Sequence, residues 1–121
     1  MATTDIGMED LDELLDDNDI VLIDFWADWC GPCKAFGPVY EKISDDFPDI
    51  KFTKCDTQKE EELAGMFDIK SIPTLTVFKE SILIFKQAGA FAEAAMKELI
   101  EKVIELDMDE VRKELEEAEE E

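Results

Sequence analysis

Two cysteines separated by two residues lie where an apolar strand pattern gives way to a helical one. The apolar run 20–23 comes shortly before Cys30 and Cys33, and apolar residues with a helical period follow them. Cysteines at this spacing can reach each other across one helical turn, so their disulfide closes a very small loop and can open and form reversibly. The sequence therefore predicts a redox-active pair at a strand-to-helix junction.

The first cysteine is predicted to be the nucleophile, because the thiolate rather than the thiol attacks a disulfide sulfur. Cys30 is predicted to start a helix, where free backbone N–H groups and the helix dipole favour negative charge. Pro32 suits the first helical turn, since its missing N–H costs nothing there, and Gly31 leaves the sulfur open to a substrate chain. Cys33 is then the resolving cysteine, which attacks the mixed disulfide and releases the reduced product.

Asp24 is a lone carboxylate within the strand pattern Ile20–Trp26. The nearly continuous apolar sequence there is typical of a central strand covered on both faces, and burial raises the pKa of a carboxyl group. Such an acid can take the proton of Cys33 and return it in the reverse reaction, with Lys54 on the neighbouring predicted strand as charge partner. The alternative is an aspartate at a strand end that is hydrogen-bonded to the backbone.

The remaining patterns predict an α/β sandwich with a mixed sheet. The strand predictions are Ala2–Ile6 at an edge, Ile20–Trp26, Lys51–Asp56, Thr74–Phe78 and Ile82–Phe85. The helix predictions rest on the apolar stripes of Met8, Leu11, Leu14 and Leu15, of Phe36, Val39, Ile43 and Phe47, of Leu63, Met66 and Phe67, and of Ala92, Ala95, Leu99, Val103 and Leu106. Pro38 is expected to kink the second helix, and Thr57 with Glu60 to form a capping box for the third.

Past Leu106 the helical pattern starts again. Asp107 and Glu110 have the spacing of a second capping box, and this signal favours a short additional helix over residues 108–115. The alternative is a frayed, solvated acidic tail that begins near Glu116.

Composition and charge limit the classes of protein to which this chain can belong. The 121 residues are predicted to form one domain, residues 1–106, followed by an acidic extension, residues 107–121. The formal net charge of −21 repels nucleic acid and anionic membranes, so neither is an expected partner, and we expect a monomer. Three cysteines and no histidine exclude most closed zinc sites within one chain, so no metal is expected. The chain lacks a basic-then-apolar leader pattern, which predicts a cytoplasmic location.

Cys55 is the third cysteine and has no partner in the spacing pattern. At a predicted strand end beside Asp56, it is interpreted as a small buried hydrophobe. A regulatory thiol is the alternative, and the exposure of the side chain separates the two readings.

These motifs together resemble the thioredoxin family. The stretch 21–34 matches the active-site signature of that family almost throughout, and Ile72, Pro73 and Thr74 match its second hallmark. The resemblance covers roughly residues 5–106 in order and nearly without gaps. It implies the thioredoxin fold, with a mixed five-stranded central sheet flanked by four helices, to which this chain adds a short helical acidic extension.

The resemblance also implies roles that spacing does not give. The buried acid of the family and its lysine partner map onto Asp24 and Lys54, and Pro73 is implied to be cis, although the residues alone also allow an ordinary strand-entry proline. The substrate groove of the family maps onto Trp29, Gly31, Pro32, Ile72, Pro73, Ala88 and Gly89. The implied activity is a general cytoplasmic protein-disulfide reductase that needs no cofactor and is recharged by a thioredoxin reductase. The absence of histidine favours a reductase over an oxidase or isomerase.

Three features depart from the family pattern. Glu80 and Ser81 replace the usual glycine-containing hairpin tip, the first strand is weakly β in composition and is expected to be short or absent, and the segment 107–121 lies beyond the minimal domain. A competing hypothesis, favoured by the acidic chain ends, is a partner-specific binding module with the same fold. A third is metal or cluster binding by a dimer through Cys30 and Cys33.

Overall fold

In the computed structural model, which describes residues 2–120, strands and helices alternate along the chain. The strands are β1 (Thr3–Asp5), β2 (Ile20–Trp26), β3 (Lys51–Asp56), β4 (Thr74–Lys79) and β5 (Ile82–Ala88). The helices are α1 (Leu11–Asp17), preceded by a 3₁₀ turn at Met8–Asp10, then α2 (Gly31–Asp46), α3 (Glu61–Met66), α4 (Glu93–Glu105) and α5 (Met108–Glu120). The predicted strand β1 is present but short.

Across residues 2–120 the strands form one five-stranded sheet in the order β1-β3-β2-β4-β5. Strand β2 is central: it pairs parallel with β3 and antiparallel with β4, while β1 and β5 form the edges. The predicted mixed sheet is confirmed. Because β2 is the middle strand, the loop that follows it emerges at the centre of one end of the sheet.

The two faces of the sheet carry separate cores. Leu22 packs into the cluster beneath α2 and α4, whereas Ile23 and Phe25 pack into the cluster beneath α1 and α3. Successive side chains of a strand point to opposite faces. The same alternation turns Asp24 toward α2, and this orientation decides where its carboxyl group can act.

Helix α2 starts within the cysteine motif and continues unbroken through Pro38 to Asp46. Its buried face is formed by Phe36, Tyr40 and Ile43, at spacings of three and four residues. The rings of Phe36 and Tyr40 lie 5.6 Å apart. This packing fixes the helix, and with it the first turn, against the sheet.

The β4–β5 hairpin turns at Glu80 and Ser81, both of which have positive φ, 50° and 67°. Two central residues with positive φ define a type I′ turn, which usually recruits glycine or asparagine. Contacts outside the hairpin hold this turn: the Glu80 N–H donates to the Asp19 carbonyl at 2.8 Å, and the Ser81 hydroxyl donates to the Leu15 carbonyl at 3.2 Å. The departure from the family pattern therefore leaves the hairpin intact. Its pairing shifts register between Val77 and Phe78, and β5 runs on to Ala88.

The predicted capping box of the third helix is wrong. Helix α3 begins at Glu61, and its N-cap residue, Glu60, makes no side-chain capping bond. The Thr57 hydroxyl donates instead to the Trp26 carbonyl at 3.1 Å, at the end of the neighbouring strand β2. Met66 was also expected to be buried, but in this short helix it lies on the outer face and is 58% exposed.

The predicted stripe of α4 is right at Val103 and at the half-buried Leu99, but it is wrong at its other positions. Ala92 and Ala95 are exposed, and the buried positions are Met96, Ile100 and Val103. Burying large apolar side chains releases more free energy than burying alanines, so the helix turns its methionine and isoleucine toward the sheet.

Helix α5 follows α4 after a short break and is anchored at its start. Asp107 Oδ1 accepts hydrogen bonds from the N–H groups of Asp109 and Glu110 at 3.0 and 3.3 Å, which is the Asp107 half of the predicted capping box. Met108 is buried, and Arg112 bridges Asp109 and Glu80. Within residues 2–120, helix α5 therefore continues to Glu120, past Glu116, where the alternative placed the start of a frayed tail.

The division into a domain, 1–106, and an extension, 107–121, stays a prediction. Its terminal residues, Met1 and Glu121, lie outside the described residues. No helix between residues 2 and 120 is long and apolar enough to span a membrane.

Candidate redox site

The predicted cysteine pair forms a disulfide at the start of α2. Cys30 is the N-cap residue, Cys33 lies in the first turn, and their Cα atoms are 5.2 Å apart. The Cys33 N–H donates to Cys30 Sγ at 3.2 Å, so a free backbone donor of the helix end is directed at the sulfur. This environment favours the thiolate of Cys30 when the disulfide is open.

A second segment of the chain approaches Cys30 from the far side. The Ile72–Pro73 peptide bond is cis, as the family resemblance implies, and the Ile72 carbonyl oxygen lies 3.7 Å from Cys30 Sγ. The Gly89 N–H donates to the Pro73 carbonyl at 2.8 Å, and Ala88 is the strand neighbour of Thr74. The two predicted groove segments, 72–73 and 88–89, are therefore held side by side.

A cavity of about 460 Å³ opens beside the disulfide. Most of the predicted groove residues line it, namely Trp29, Gly31, Pro32 and Ile72 together with Cys30. The remaining lining residues are Thr57, Ile69, Lys70 and Ser71, which the sequence reading missed. Trp29 is 67% exposed, far more than a tryptophan with a core role, and it provides an apolar wall for an approaching chain.

Asp24 is almost fully buried, with 1% of its surface exposed. It pairs across the strands with Lys54, and its Oδ1 atom has no hydrogen-bond partner among residues 2–120. Burial raises the pKa of Asp24 from 3.8 to about 7, and the nearby Lys54 charge opposes this rise. The aspartate therefore lies inside the strand rather than at its end, and it can exchange a proton near neutral pH.

Lys54 connects the buried acid with a second cavity. Its ammonium nitrogen lies 4.7 Å from the centre of the Trp26 ring, a cation–π distance. A cavity of about 580 Å³ lies against this pair, and its lining residues are Trp26, Cys33, Lys34, Gly37, Pro38, Glu41 and Lys54. The resolving cysteine and the lysine thus line one cavity, which shares no lining residue with the groove.

Two residues of α2 were missed by the sequence reading. The Tyr40 hydroxyl donates to the Thr53 carbonyl at 2.8 Å, and burial, followed by the Asp24 charge, raises the pKa of Tyr40 well above its usual range. Glu41 lies on the same helix, two turns after Cys33. The helical spacing Cys33–Gly37–Glu41 was visible in the sequence and is the signal that could have found this glutamate.

Cys55 is fully buried on the opposite face of the sheet and is a free thiol. Burial, together with the charges of Glu60 and Asp56, raises the pKa of Cys55 to about 12. It is therefore neutral and inaccessible, as the hydrophobe interpretation predicted, and this environment disfavours the regulatory reading.

No group of three or more histidine, cysteine, aspartate or glutamate side chains within residues 2–120 is arranged to hold a metal ion.

The comparisons with known proteins agree with each other. The family model described as Thioredoxin matches residues 3–116. Putative thioredoxin 2 of Streptomyces coelicolor is 52% identical over 112 residues, which cover 93% of this chain and 84% of the relative. The structure of a mutant thioredoxin from Halobacterium salinarum NRC-1 is similar with a TM-score of 0.80 and 36% identity, covering 87% of this chain and 93% of that one.

A further solved chain comes from work on the thiol resolving mechanism in yeast mitochondrial 1-Cys peroxiredoxin via glutathione and thioredoxin systems. It is similar with a TM-score of 0.77 and 31% identity, and the match covers 84% of this chain and 95% of that one.

Proposed function

Because this chain belongs to the thioredoxin family and is a dithiol–disulfide oxidoreductase, we propose how its residues divide the work of reducing a protein disulfide. The single observation that supports the assignment is the Cys30–Cys33 disulfide at the start of α2, with the Ile72 carbonyl beside Cys30. Cys30 attacks first, because its sulfur is the one that accepts from the helix N-terminus and adjoins the groove.

The reaction has two exchange steps. The Cys30 thiolate attacks one sulfur of the target disulfide, forms a mixed disulfide and releases the other target sulfur as a thiolate. Cys33 then attacks Cys30 Sγ, which breaks the mixed disulfide and closes the Cys30–Cys33 bond. Two electrons pass from the protein to the target, and the target leaves as a dithiol.

The second step requires Cys33 to lose its proton. We assign this proton to Asp24, whose carboxyl group has a pKa raised to about 7 by burial. Lys54 stabilises the ionised form of Asp24 and so keeps it available as a base near neutral pH. In the reverse reaction Asp24 returns the proton to Cys33.

The target is held by the groove in this proposal. Trp29, Pro32 and Ile72 supply apolar contacts, and Pro73, Ala88 and Gly89 supply backbone groups next to the sulfur. An extended target segment can add its own hydrogen bonds to such a backbone edge. The groove therefore recognises the shape of an extended chain around a disulfide, which suits a reductase with many protein targets.

The thioredoxin family acts with a reductase and with disulfide substrates. For this chain we propose the same cycle, with a thioredoxin reductase as electron donor and disulfide-containing proteins as acceptors, carried out in the cytoplasm by a monomer. The net charge of −21 supports the monomer, because two copies of the chain repel each other.

Trapping of the mixed disulfide tests the order of attack. A Cys33→Ser variant is expected to accumulate a covalent adduct with a disulfide-containing target, since the resolving thiol is absent, whereas Cys30→Ser is expected to form none. Cys55→Ser is the matched control and should turn over like the unmodified protein. Intact-mass measurement of the adduct decides, and an adduct formed by Cys30→Ser but not by Cys33→Ser would reverse the assignment.

A further inference from the structure

Glu41 has a carboxylate that neither the core nor the substrate groove explains. Its Oε1 atom accepts a hydrogen bond from the Thr3 hydroxyl on β1. Its Oε2 atom is buried and has no hydrogen-bond partner among residues 2–120. A carboxylate oxygen withdrawn from bulk water without a donor is costly, so a purely structural role leaves half of this group unaccounted for.

The position of Glu41 relates it to the redox site. Cys33, Gly37 and Glu41 follow each other at one-turn intervals on α2, and all three line the cavity of about 580 Å³. A Cβ atom at Gly37 would meet nothing within 4 Å, so the space between the cysteine and the glutamate is open. Lys54 lines the same cavity from the sheet.

Asp24, by contrast, has no direct route to solvent. It is 1% exposed, and its Oδ1 atom has no partner in the described chain. In the proposed function it must accept a proton from Cys33 and give one back later in the cycle. Its strand partner Lys54 lines the cavity together with Lys34 and Glu41, and water bound by these charged side chains would allow protons to move between Asp24 and the outside.

We propose that Glu41 is the proton-relay residue through which Cys33 and Asp24 exchange protons with solvent. The inference rests on the proposed function of Asp24. As Cys33 attacks, its proton passes to Asp24, then through the cavity to Glu41 and out to water. When the disulfide is reduced again, a proton returns by the same route. Only S–H and O–H bonds change in the relay, and it moves no electrons. Glu41 touches no substrate and acts through the buried pair.

The other groups around the cavity do not replace Glu41. Lys34 and Lys54 line the cavity with ammonium groups and supply no carboxylate. Burial and the Asp24 charge raise the pKa of Tyr40 well above its usual range, so its hydroxyl stays protonated. The Thr3 hydroxyl is neutral and orients the carboxylate of Glu41.

The first test compares Glu41→Gln with the unmodified protein in a single-turnover assay of mixed-disulfide resolution. In weakly buffered solution near neutral pH we expect resolution to slow by about fivefold, a fraction of the 10²–10⁴-fold contribution typical of direct acid–base catalysis. Added imidazole or acetate should restore the rate, because a small carrier can enter the cavity and move the proton. When the rate of resolution is measured against pH, its step near the pKa of Asp24 should also be broader in the variant.

Three control variants separate a relay from a structural effect. Glu101→Gln makes the same charge change at an exposed position of α4 and should leave the rate unchanged. Thr3→Val removes the hydroxyl that orients the carboxylate but keeps the carboxylate itself, so it should slow resolution less than Glu41→Gln does. Gly37→Leu keeps every charge and fills the cavity, so it should slow resolution, and a small carrier should not restore it.

The outcomes are distinguishable. The relay would be overturned if Glu41→Gln resolved the mixed disulfide at the normal rate in weak buffer. It would also be overturned if the variant were slow and added carriers did not restore its rate. Asp24→Asn in the same assay tests the underlying function: if it resolves at the normal rate, the proton role of Asp24 fails as well. If Asp24→Asn is slow and Glu41→Gln is normal, the relay alone fails.

Discussion

The two faces of the central sheet bury ionisable groups in opposite ways. On the face covered by α2 and α4, Asp24 lies beside Lys54 and a cavity, and burial raises its pKa to about 7. On the face covered by α1 and α3, Cys55 lies among apolar side chains, and its pKa is raised to about 12. Burial acts on both groups, but only one of them titrates near neutral pH.

The neighbouring charges explain the difference. Lys54 stabilises the anion of Asp24 and limits the rise of its pKa, whereas Glu60, Asp56 and Asp24 all oppose ionisation of Cys55. A buried group becomes useful in catalysis when its pKa lies near the working pH. The α2 face thus carries the chemistry, and the α3 face is an apolar core that supports it.

The largest expected effect on stability comes from Asp24→Asn. The folded-state pKa of Asp24 is raised, so its contribution to stability is fully present below pH 3.8 and is lost as the pH rises through about 7. The interval from 3.8 to about 7 corresponds to about 4 kcal/mol. We therefore expect Asp24→Asn to raise the free energy of unfolding by up to this amount at pH 8 to 9, and little at pH 4.

Urea unfolding of the oxidised protein at several pH values measures this difference. Asp49→Asn, at an exposed position, is the control for the change in net charge. Equal stabilities of Asp24→Asn and the unmodified protein at all pH values would show that the two faces do not differ as described.

Leu63→Ala probes the apolar face. Leu63 is fully buried in the cluster beneath α1 and α3, and its truncation is expected to lower the free energy of unfolding by about 3 kcal/mol through lost burial and a cavity. Because Cys55, which lies in the same cluster, has a pKa of about 12 and stays neutral over this range, the loss should be nearly the same at pH 5 and pH 8. A loss that changes strongly with pH would mean that this face also carries a coupled charge.

Lys79→Met tests a buried charge whose hydrogen bonds are satisfied. The Lys79 ammonium donates to the carbonyls of Val103, Ile104 and Leu106 at 2.8, 3.1 and 2.9 Å, and so closes the C-terminal end of α4. Methionine keeps the length of the side chain but leaves these carbonyls without the donor. We expect a loss of about 2 kcal/mol in chemical denaturation, with the redox rate retained. A stabilised Lys79→Met variant would contradict this account.

The smallest effect is expected from Arg112→Ala. Arg112 contacts Glu80 and Asp109 at 2.7 and 2.8 Å, but all of these groups are solvent-exposed. Water and salt screen such pairs, so the melting temperature should fall slightly at low ionic strength and not measurably at high salt. A large, salt-independent decrease would show that α5 contributes more to the fold than its exposed contacts indicate.

Local patterns predicted most elements of the fold correctly. Strands β2 and β3 begin and end at the predicted residues, and the Asp107 cap starts α5 as expected. The errors fell where the decisive partner is distant in sequence. The Thr57 hydroxyl bonds to the end of β2 rather than capping α3, and α4 turns Met96 to the core because the sheet beneath it accepts larger side chains.

The candidate site divides in the same way. The cysteine pair, its helix start and the lone Asp24 were visible because each depends on residues adjacent in the chain. Glu41 was not singled out, because an acidic residue on an amphipathic helix is ordinarily solvated. Its buried oxygen and the shared cavity arise only when α2 is packed across β2 and β3.

The sequence by itself determined the redox pair, the order of strands and helices and the place of Asp24 within a central strand, since these follow from spacing and from the periods of helix and strand. The tertiary structure alone decided the distances across the site. It placed the Ile72 carbonyl 3.7 Å from Cys30 Sγ, Lys54 beside Asp24, and Glu41 on the cavity of Cys33. Such contacts join segments far apart in the chain, and only the packing of the helices on the sheet brings them together.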